Sequence, residues 1–163
     1  VNVVSNTSAL INLARIGKLD LLHKLYGELI IPEAVWRETV LDGRGQPGSS
    51  EVEEAPWIKM DSVTNSQLVQ VLEQDLDAGE AEAIALALEK EAALLLMDEH
   101  LGRQTARYLG LRFTGLVGVL IEAKHSGVLS AVRPHLNTLR DIAGFRISNA
   151  LYRSVLQDER EEK

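Results

Sequence analysis

The run Ala93-Leu94-Leu95-Leu96-Met97-Asp98-Glu99 decides the fold. Five apolar residues in succession leave no polar face for water. A strand made of them is covered on both sides, as in parallel sheets flanked by helices. The run is short for a buried helix, and it stops abruptly on two acids.

The flanking sequence supports this reading. Upstream, Asp77 opens a helix predicted over 78–90. Downstream, a helix is predicted over 99–109, then a short strand from Leu111 to Thr114. Helices over 115–126, 130–142 and 148–157 follow, and the charged tail 158–163 is expected to fray. Toward the N-terminus, Trp57-Ile58-Lys59-Met60 reads as an edge strand preceding a helix over 65–73. Asp42 to Ser50, rich in Gly and Ser, reads as a mobile loop at the rim. Leu29-Ile30-Ile31 is a second buried strand, with Pro32 opening a helix that reaches about Leu41. Val1-Asn2-Val3-Val4 is the first strand, and two short helices follow it. Strands alternating with helices predict a single α/β domain over 1–157, a mostly parallel sheet with helices on both faces.

Composition narrows the function. The 163 residues contain no cysteine, which excludes disulfides, zinc–thiolate sites and a cysteine nucleophile. The absence fits a reducing compartment, so a cytoplasmic location is expected. No apolar run approaches the ~20 residues of a membrane span, and Val1 to Leu13 lacks the features of a signal peptide. The net charge is −7, unevenly spread. Residues 51–100 hold 13 Asp/Glu against 2 Lys/Arg, and residues 101–150 hold 2 against 7. An acidic middle beside a basic stretch suits a metal site next to a phosphate-binding surface, although solvated helix faces would give the same counts. The sequence has neither a Gly-Lys-Ser/Thr phosphate loop nor a Gly-x-Gly-x-x-Gly turn after a strand. Ser8 lacks a His–Asp partner pattern, and the four histidines lack ligand spacing.

In parallel α/β sheets, ligands bind beyond the carboxyl ends of the strands. Asn6 follows the first strand and Asp98 the central one; Glu38 lies in the helix after the second strand and Glu80 at the start of the helix over 78–90, so the four could meet at one end of the sheet. Together they are the oxygen donors that Mg²⁺ or Mn²⁺ prefers. Each also has a capping alternative, with Asp77 and Glu80 matching a capping box. Helical periodicity puts Glu80 with Ala83, Ile84 and Ala87 on an apolar face, and Glu82 with Glu89 on a solvated one. An Arg partner, such as Arg103, would equally explain an inward carboxylate.

Four segments in order resemble the PIN-domain family: Val4-Ser5-Asn6-Thr7-Ser8-Ala9-Leu10-Ile11, Ile31-Pro32-Glu33-Ala34-Val35-Trp36-Arg37-Glu38, Leu76 to Ala87, and Leu94 to Glu99. Gly115 to Leu120 and Ala143 to Ser148 extend the likeness over about residues 2–157. It looks closest to a short prokaryotic PIN-like branch related to VapC-type toxin ribonucleases. The resemblance implies a five-stranded parallel sheet and Mg²⁺- or Mn²⁺-dependent cleavage of single-stranded RNA. Carried over residue by residue, Asn6, Glu38, Glu80 and Asp98 are the catalytic positions, with metal on Asn6, Glu80 and Asp98. Apart from the resemblance, Arg103 and Arg107, four apart on one helix face, and Arg112 on the next strand are expected from the basic stretch to line the cleft and bind nucleic acid, with Ser8. A small antitoxin protein and a homodimer are the further partners that the resemblance allows. The departure is Asn6, where the family usually has an acid. The alternative is therefore a PIN-fold module, catalytically weak or inactive, that binds RNA or protein.

Overall fold

The computed structural model describes residues 2–162. Val1, expected to head the first strand, and Lys163, the end of the tail, lie outside the described residues. Five parallel strands form one sheet in the order β3-β2-β1-β4-β5. They are β1 Val3–Ser5, β2 Leu29–Pro32, β3 Ile58–Asp61, β4 Leu94–Leu96 and β5 Phe113–Thr114. The central pairs set the register: Val3, Val4 and Ser5 lie beside Leu94, Leu95 and Leu96. This is the mostly parallel α/β sheet that the apolar runs predict.

Side chains alternate across the sheet, as the strand period of two requires. Val3, Leu29, Ile31 and Leu96 enter one core, with Leu10, Leu22, Leu120 and Leu136. Those partners come from α1 Thr7–Arg15, α2 Asp20–Tyr26, α8 Leu116–His125 and α9 Arg133–Asp141. Val4, Leu95 and Met97 enter the other, with Ile84, Leu86 and Ala106. These belong to α6 Ala78–Glu89 and α7 His100–Tyr108. Ala81, Ala83, Ala85 and Ala87 of α6 are all buried. Alternate positions fall on opposite sides of a helix, so their burial shows that α6 is enclosed by the sheet on one side and by α3, α5 and α7 on the others. The remaining helices are α3 Glu33–Trp36, α4 Ser49–Glu54, α5 Ser66–Leu72 and α10 Asn149–Asp158. None of the helices is long and apolar enough to cross a membrane.

Two expectations change. The Glu82–Glu89 face of α6 is not simply solvated. Glu82 accepts from the Ala34 N–H at 2.9 Å, and Glu89 accepts from the N–H groups of Thr64 and Asn65. Periodicity within one helix cannot show that the starts of α3 and α5 abut that face with N–H groups to satisfy. The charged tail also docks. Glu161 accepts from the N–H groups of Val132 and Arg133 and pairs with Lys124 at 2.7 Å. A local reading sees only a run of charge here, whereas the fold supplies the start of α9 as its partner.

Candidate metal centre and nucleic-acid cleft

Asn6 leaves β1 with its N–H on the Leu96 carbonyl, at 3.2 Å. Its side chain is buried. Oδ1 accepts from the Ala9 N–H at 3.1 Å and caps α1, while Nδ2 faces Met97 Sδ at 3.5 Å. The N-cap role is thus present at this position. Asn6 nevertheless lines a cavity of about 220 Å³ with Thr7, Ser8, Glu38, Asp77 and Glu80.

Glu38 reaches this cavity because α3 continues as a π-helical turn, Arg37–Leu41. The Asp42 N–H bonds to the Arg37 carbonyl at 2.8 Å, the i→i+5 pattern of such turns. The Thr7 hydroxyl donates to Glu38 Oε1. Behind them lies Gly79, where a Cβ would collide with that same oxygen. Glu80 closes the capping box with Asp77: its N–H donates to Asp77 Oδ1 at 2.8 Å, and its Oε1 accepts from the Asp77 N–H at 3.2 Å. Burial holds the Glu80 carboxyl above the usual range, and the charges of Asp77, Glu99 and Glu38 push it further up against the Asp77 N–H bond.

Asp98 follows β4 and turns toward the start of α8. Both its oxygens accept from the Leu116 N–H at 3.2 Å, so it caps α8 across 18 residues. Gly115 leaves room for it, since a Cβ there would strike Oδ1. Burial raises its carboxyl, opposed by the Leu116 N–H and Arg103. Asp98 lines a separate cavity of about 330 Å³ with Arg103, Phe145 and Arg146. Glu99 caps its own helix through the Gly102 N–H, and it, not Asp98, is the acid of this pair that adds to the charge felt by Glu80.

The arginines run along the edge of the sheet. Arg103 and Arg107 share the Phe113 ring at 5.0 and 5.2 Å, and Arg112 is exposed just before β5. Among the described residues none of the three forms a salt bridge, nor does Glu38, Glu80 or Asp98. Ser8 lines the Glu38–Glu80 cavity and takes a hydrogen bond from Asn12.

Sequence reasoning overlooked Thr7, Gly79 and Glu99. Gly79 carried a signal, because glycine is costly within a helix and so points to a packing reason. Thr7 carried none, since its partner Glu38 is 31 residues away; Glu99 was visible as the second acid after the strand, but its influence on Glu80, 19 positions earlier, was not.

A divalent ion suits this site in kind. Its donors are oxygens, and Glu38 and Glu80 are close, half-buried and free of any cationic side chain. Among the described residues no three His, Cys, Asp or Glu stand close enough to hold an ion. Two carboxylates with water and substrate phosphate are, however, an ordinary Mg²⁺ set.

The five-stranded parallel sheet, with acids gathered beyond its strand ends, is an α/β arrangement consistent with a PIN fold. The chain belongs to the PIN-domain family, whose model matches residues 2–161. No curated protein matches it. PIN domains generally use divalent metal ions, and the fold suggests RNA binding.

Proposed function

We propose that the protein is a Mg²⁺- or Mn²⁺-dependent ribonuclease acting on single-stranded RNA. The observation that carries this reading is the pairing of Glu38 with Glu80 in one cavity, with no cationic side chain among its lining residues. Two carboxylates converge despite mutual repulsion, an arrangement that a divalent ion relieves. Glu38 and Glu80 would hold the ion, with Asn6 at the back of the cavity and Asp98 as a further acid across the strand ends. When bound, the ion lowers the pKa of a water and neutralises phosphate charge. Thr7 holds Glu38 in place, and Arg103, Arg107 and Arg112, with Ser8, bind and align the strand.

The unit acts as one domain that includes the docked tail as far as Glu161, and in a reducing cytoplasm, which the lack of cysteine fits. A toxin role with a small antitoxin, and a homodimer, rest on the likeness to VapC-type ribonucleases. A second reading, a binding module with little or no catalysis, is favoured by Asn6, whose amide oxygen already serves the Ala9 N–H.

The test is calorimetric titration of Mn²⁺ together with cleavage of a labelled single-stranded RNA. Wild type is expected to bind and cut, and Glu80→Gln to lose both. Metal binding without cleavage would favour the binding module, and RNA binding indifferent to Mn²⁺ would remove the metal from the account. Affinity for RNA should fall with salt by roughly 0.7 log units per log unit for each phosphate contact. Replacing Arg103 and Arg107 by Ala should flatten that slope.

A further inference from the structure

The geometry points to a nucleotide subsite in the second cavity: it takes one ribonucleotide of a single strand, with the phosphate on Arg103 and Arg146 and the base against Phe145. This inference takes its ligand class from the reading of the protein as an RNA enzyme. The volume, about 330 Å³, is at the small end of the range for small-molecule sites. One wall is the start of α8, and the other is the Phe145–Arg146 segment between α9 and α10.

That segment is fixed rather than loose. The Phe145 N–H bonds to the Leu139 carbonyl at 2.9 Å, and Arg15 bonds to the Ala143 carbonyl at 3.3 Å. Gly144 supplies a left-handed turn at φ +71°, a conformation in which other side chains are strained. Phe145 is therefore held half-buried in the wall, with Arg146 exposed beside it.

Neither Arg103 nor Arg146 has a salt bridge among the described residues. Arg103 is held over Phe113, so its guanidinium is oriented without a carboxylate partner. Two free guanidinium groups beside an apolar wall fit a phosphate attached to a flat ring, because single-stranded RNA is read by stacking and by charge. Asp98 argues against a bare anion here. Its charge is partly met by the Leu116 N–H and by Arg103, and its remaining lone pairs can accept from a base amino group. A nucleotide satisfies both ends of the cavity, whereas inorganic phosphate meets only the arginines.

The test uses the full chain in EDTA, with 5′-AMP and inorganic phosphate titrated separately and followed by NMR chemical shifts. AMP is expected to bind about tenfold more tightly than phosphate, with shifts centred on Phe145 and Gly115. Arg146→Ala should weaken AMP about tenfold, the loss expected of one charge-assisted contact, and Arg146→Lys by less. Arg146 is exposed, so these variants leave the core intact. Equal affinity for AMP and phosphate, no binding of AMP, or indifference to Arg146→Ala would overturn the subsite. Because the assay contains no divalent ion, it separates the two readings. AMP binding that depends on Arg146 in a protein that never cuts RNA would sink the nuclease alone. Mn²⁺-dependent cleavage with no such binding would sink the subsite alone.

Discussion

The Thr7 hydroxyl donates to the Glu38 carboxylate across 31 residues of chain, and both rest against the backbone of Gly79. This contact joins the start of α1, the π-helical turn after α3 and the first turn of α6. It fixes where the Glu38 carboxylate can stand relative to Glu80. The position of Glu38 thus depends on there being no side chain at residue 79.

Gly79→Ala is expected to move the site without unfolding the protein. The added Cβ meets Glu38 Oε1 and comes within 3.0 Å of Thr7 Oγ1. Glu38 Oε1 is the far end of a flexible side chain, so it is the group that shifts. The loss of the Thr7 bond is offset by alanine's better helix propensity, roughly 0.5–1 kcal/mol. Thermal melting should change by only a few degrees while Mn²⁺ affinity falls about tenfold or more, a loss of about 1.4 kcal/mol. Unchanged metal affinity would mean that Glu38 takes no part in binding.

Glu80 should give the protein a pH dependence opposite to that of most carboxylates. Its carboxyl is raised above the ordinary 4.5 by burial and then by Asp77, Glu99 and Glu38. A raised folded value means that the native state holds the proton more tightly than the unfolded chain. The resulting stabilisation is fully present below pH 4.5 and is lost as pH rises through the folded value. Glu80→Gln keeps the oxygen that accepts from the Asp77 N–H but removes the charge. Melting curves should show the variant more stable than wild type at pH 7, with the difference closing toward pH 4. Mn²⁺ should stabilise wild type at pH 7 and have little effect on the variant. A variant less stable at pH 7 would show that the capping geometry outweighs the repulsion.

Glu161 contributes in the opposite sense. Desolvation is the largest single influence on its carboxyl and raises it, but the hydrogen bonds from Lys124, Val132 and Arg133 and the charge of Lys124 together outweigh it and hold the carboxyl below the usual range. Its stabilisation is therefore present above pH 4.5 and is lost as pH falls through the lowered value. Glu161→Ala removes the acceptor for the Val132 and Arg133 N–H groups at the start of α9. A lost helix cap costs about 1 kcal/mol, which is roughly 2–4 °C in melting temperature for a domain of this size. The loss should be seen at pH 7 and shrink as the pH is lowered below 4. An unchanged melting temperature at pH 7 would mean that the tail is not docked in solution.

The two acid-side behaviours illustrate what a sequence can carry. The sheet was legible because Leu94-Leu95-Leu96-Met97 and Leu29-Ile30-Ile31 have no polar face, and that is a local property. The inward aim of Glu80 was legible for the same reason, from its apolar helical neighbours. What was not legible were the partners. Glu82 and Glu161 read as solvated charge, yet each satisfies N–H groups at the start of a helix far away in sequence. Asp98 does follow the Leu-rich strand, but that strand, β4, lies beside the central β1 rather than at the centre of the sheet. The direction of its side chain, toward α8 rather than α6, depends on Gly115 and Leu116, which no spacing rule connects to it.

The last prediction concerns Asn6, where an amide stands in place of the acid usual in the family. Asn6→Asp preserves shape and can still accept from the Ala9 N–H, because aspartate is as good an N-cap as asparagine. It replaces the Nδ2 group that faces Met97 Sδ and puts a charge on a side chain that is 2% exposed. Such a charge is costly unless paired, so without metal the variant should be less stable at pH 7 and recover at low pH as the carboxyl takes up a proton. A divalent ion in the Glu38–Glu80 cavity would reverse this. At 4 Å, one added charge is worth about 4 kcal/mol per unit charge at an effective dielectric constant near 20, less the desolvation already incurred. Mn²⁺ should therefore bind Asn6→Asp more tightly than wild type and restore its melting temperature. Cleavage of single-stranded RNA should rise in parallel, and adding Asp98→Asn should abolish that gain. Calorimetry and melting curves with and without Mn²⁺ check the first part, and cleavage of a labelled strand checks the second. If Asn6→Asp is destabilised and Mn²⁺ does not rescue it, residue 6 is a helix cap and nothing more. If Mn²⁺ rescues stability but no RNA is cut, the cavity binds metal in a protein whose task is to hold RNA rather than cleave it.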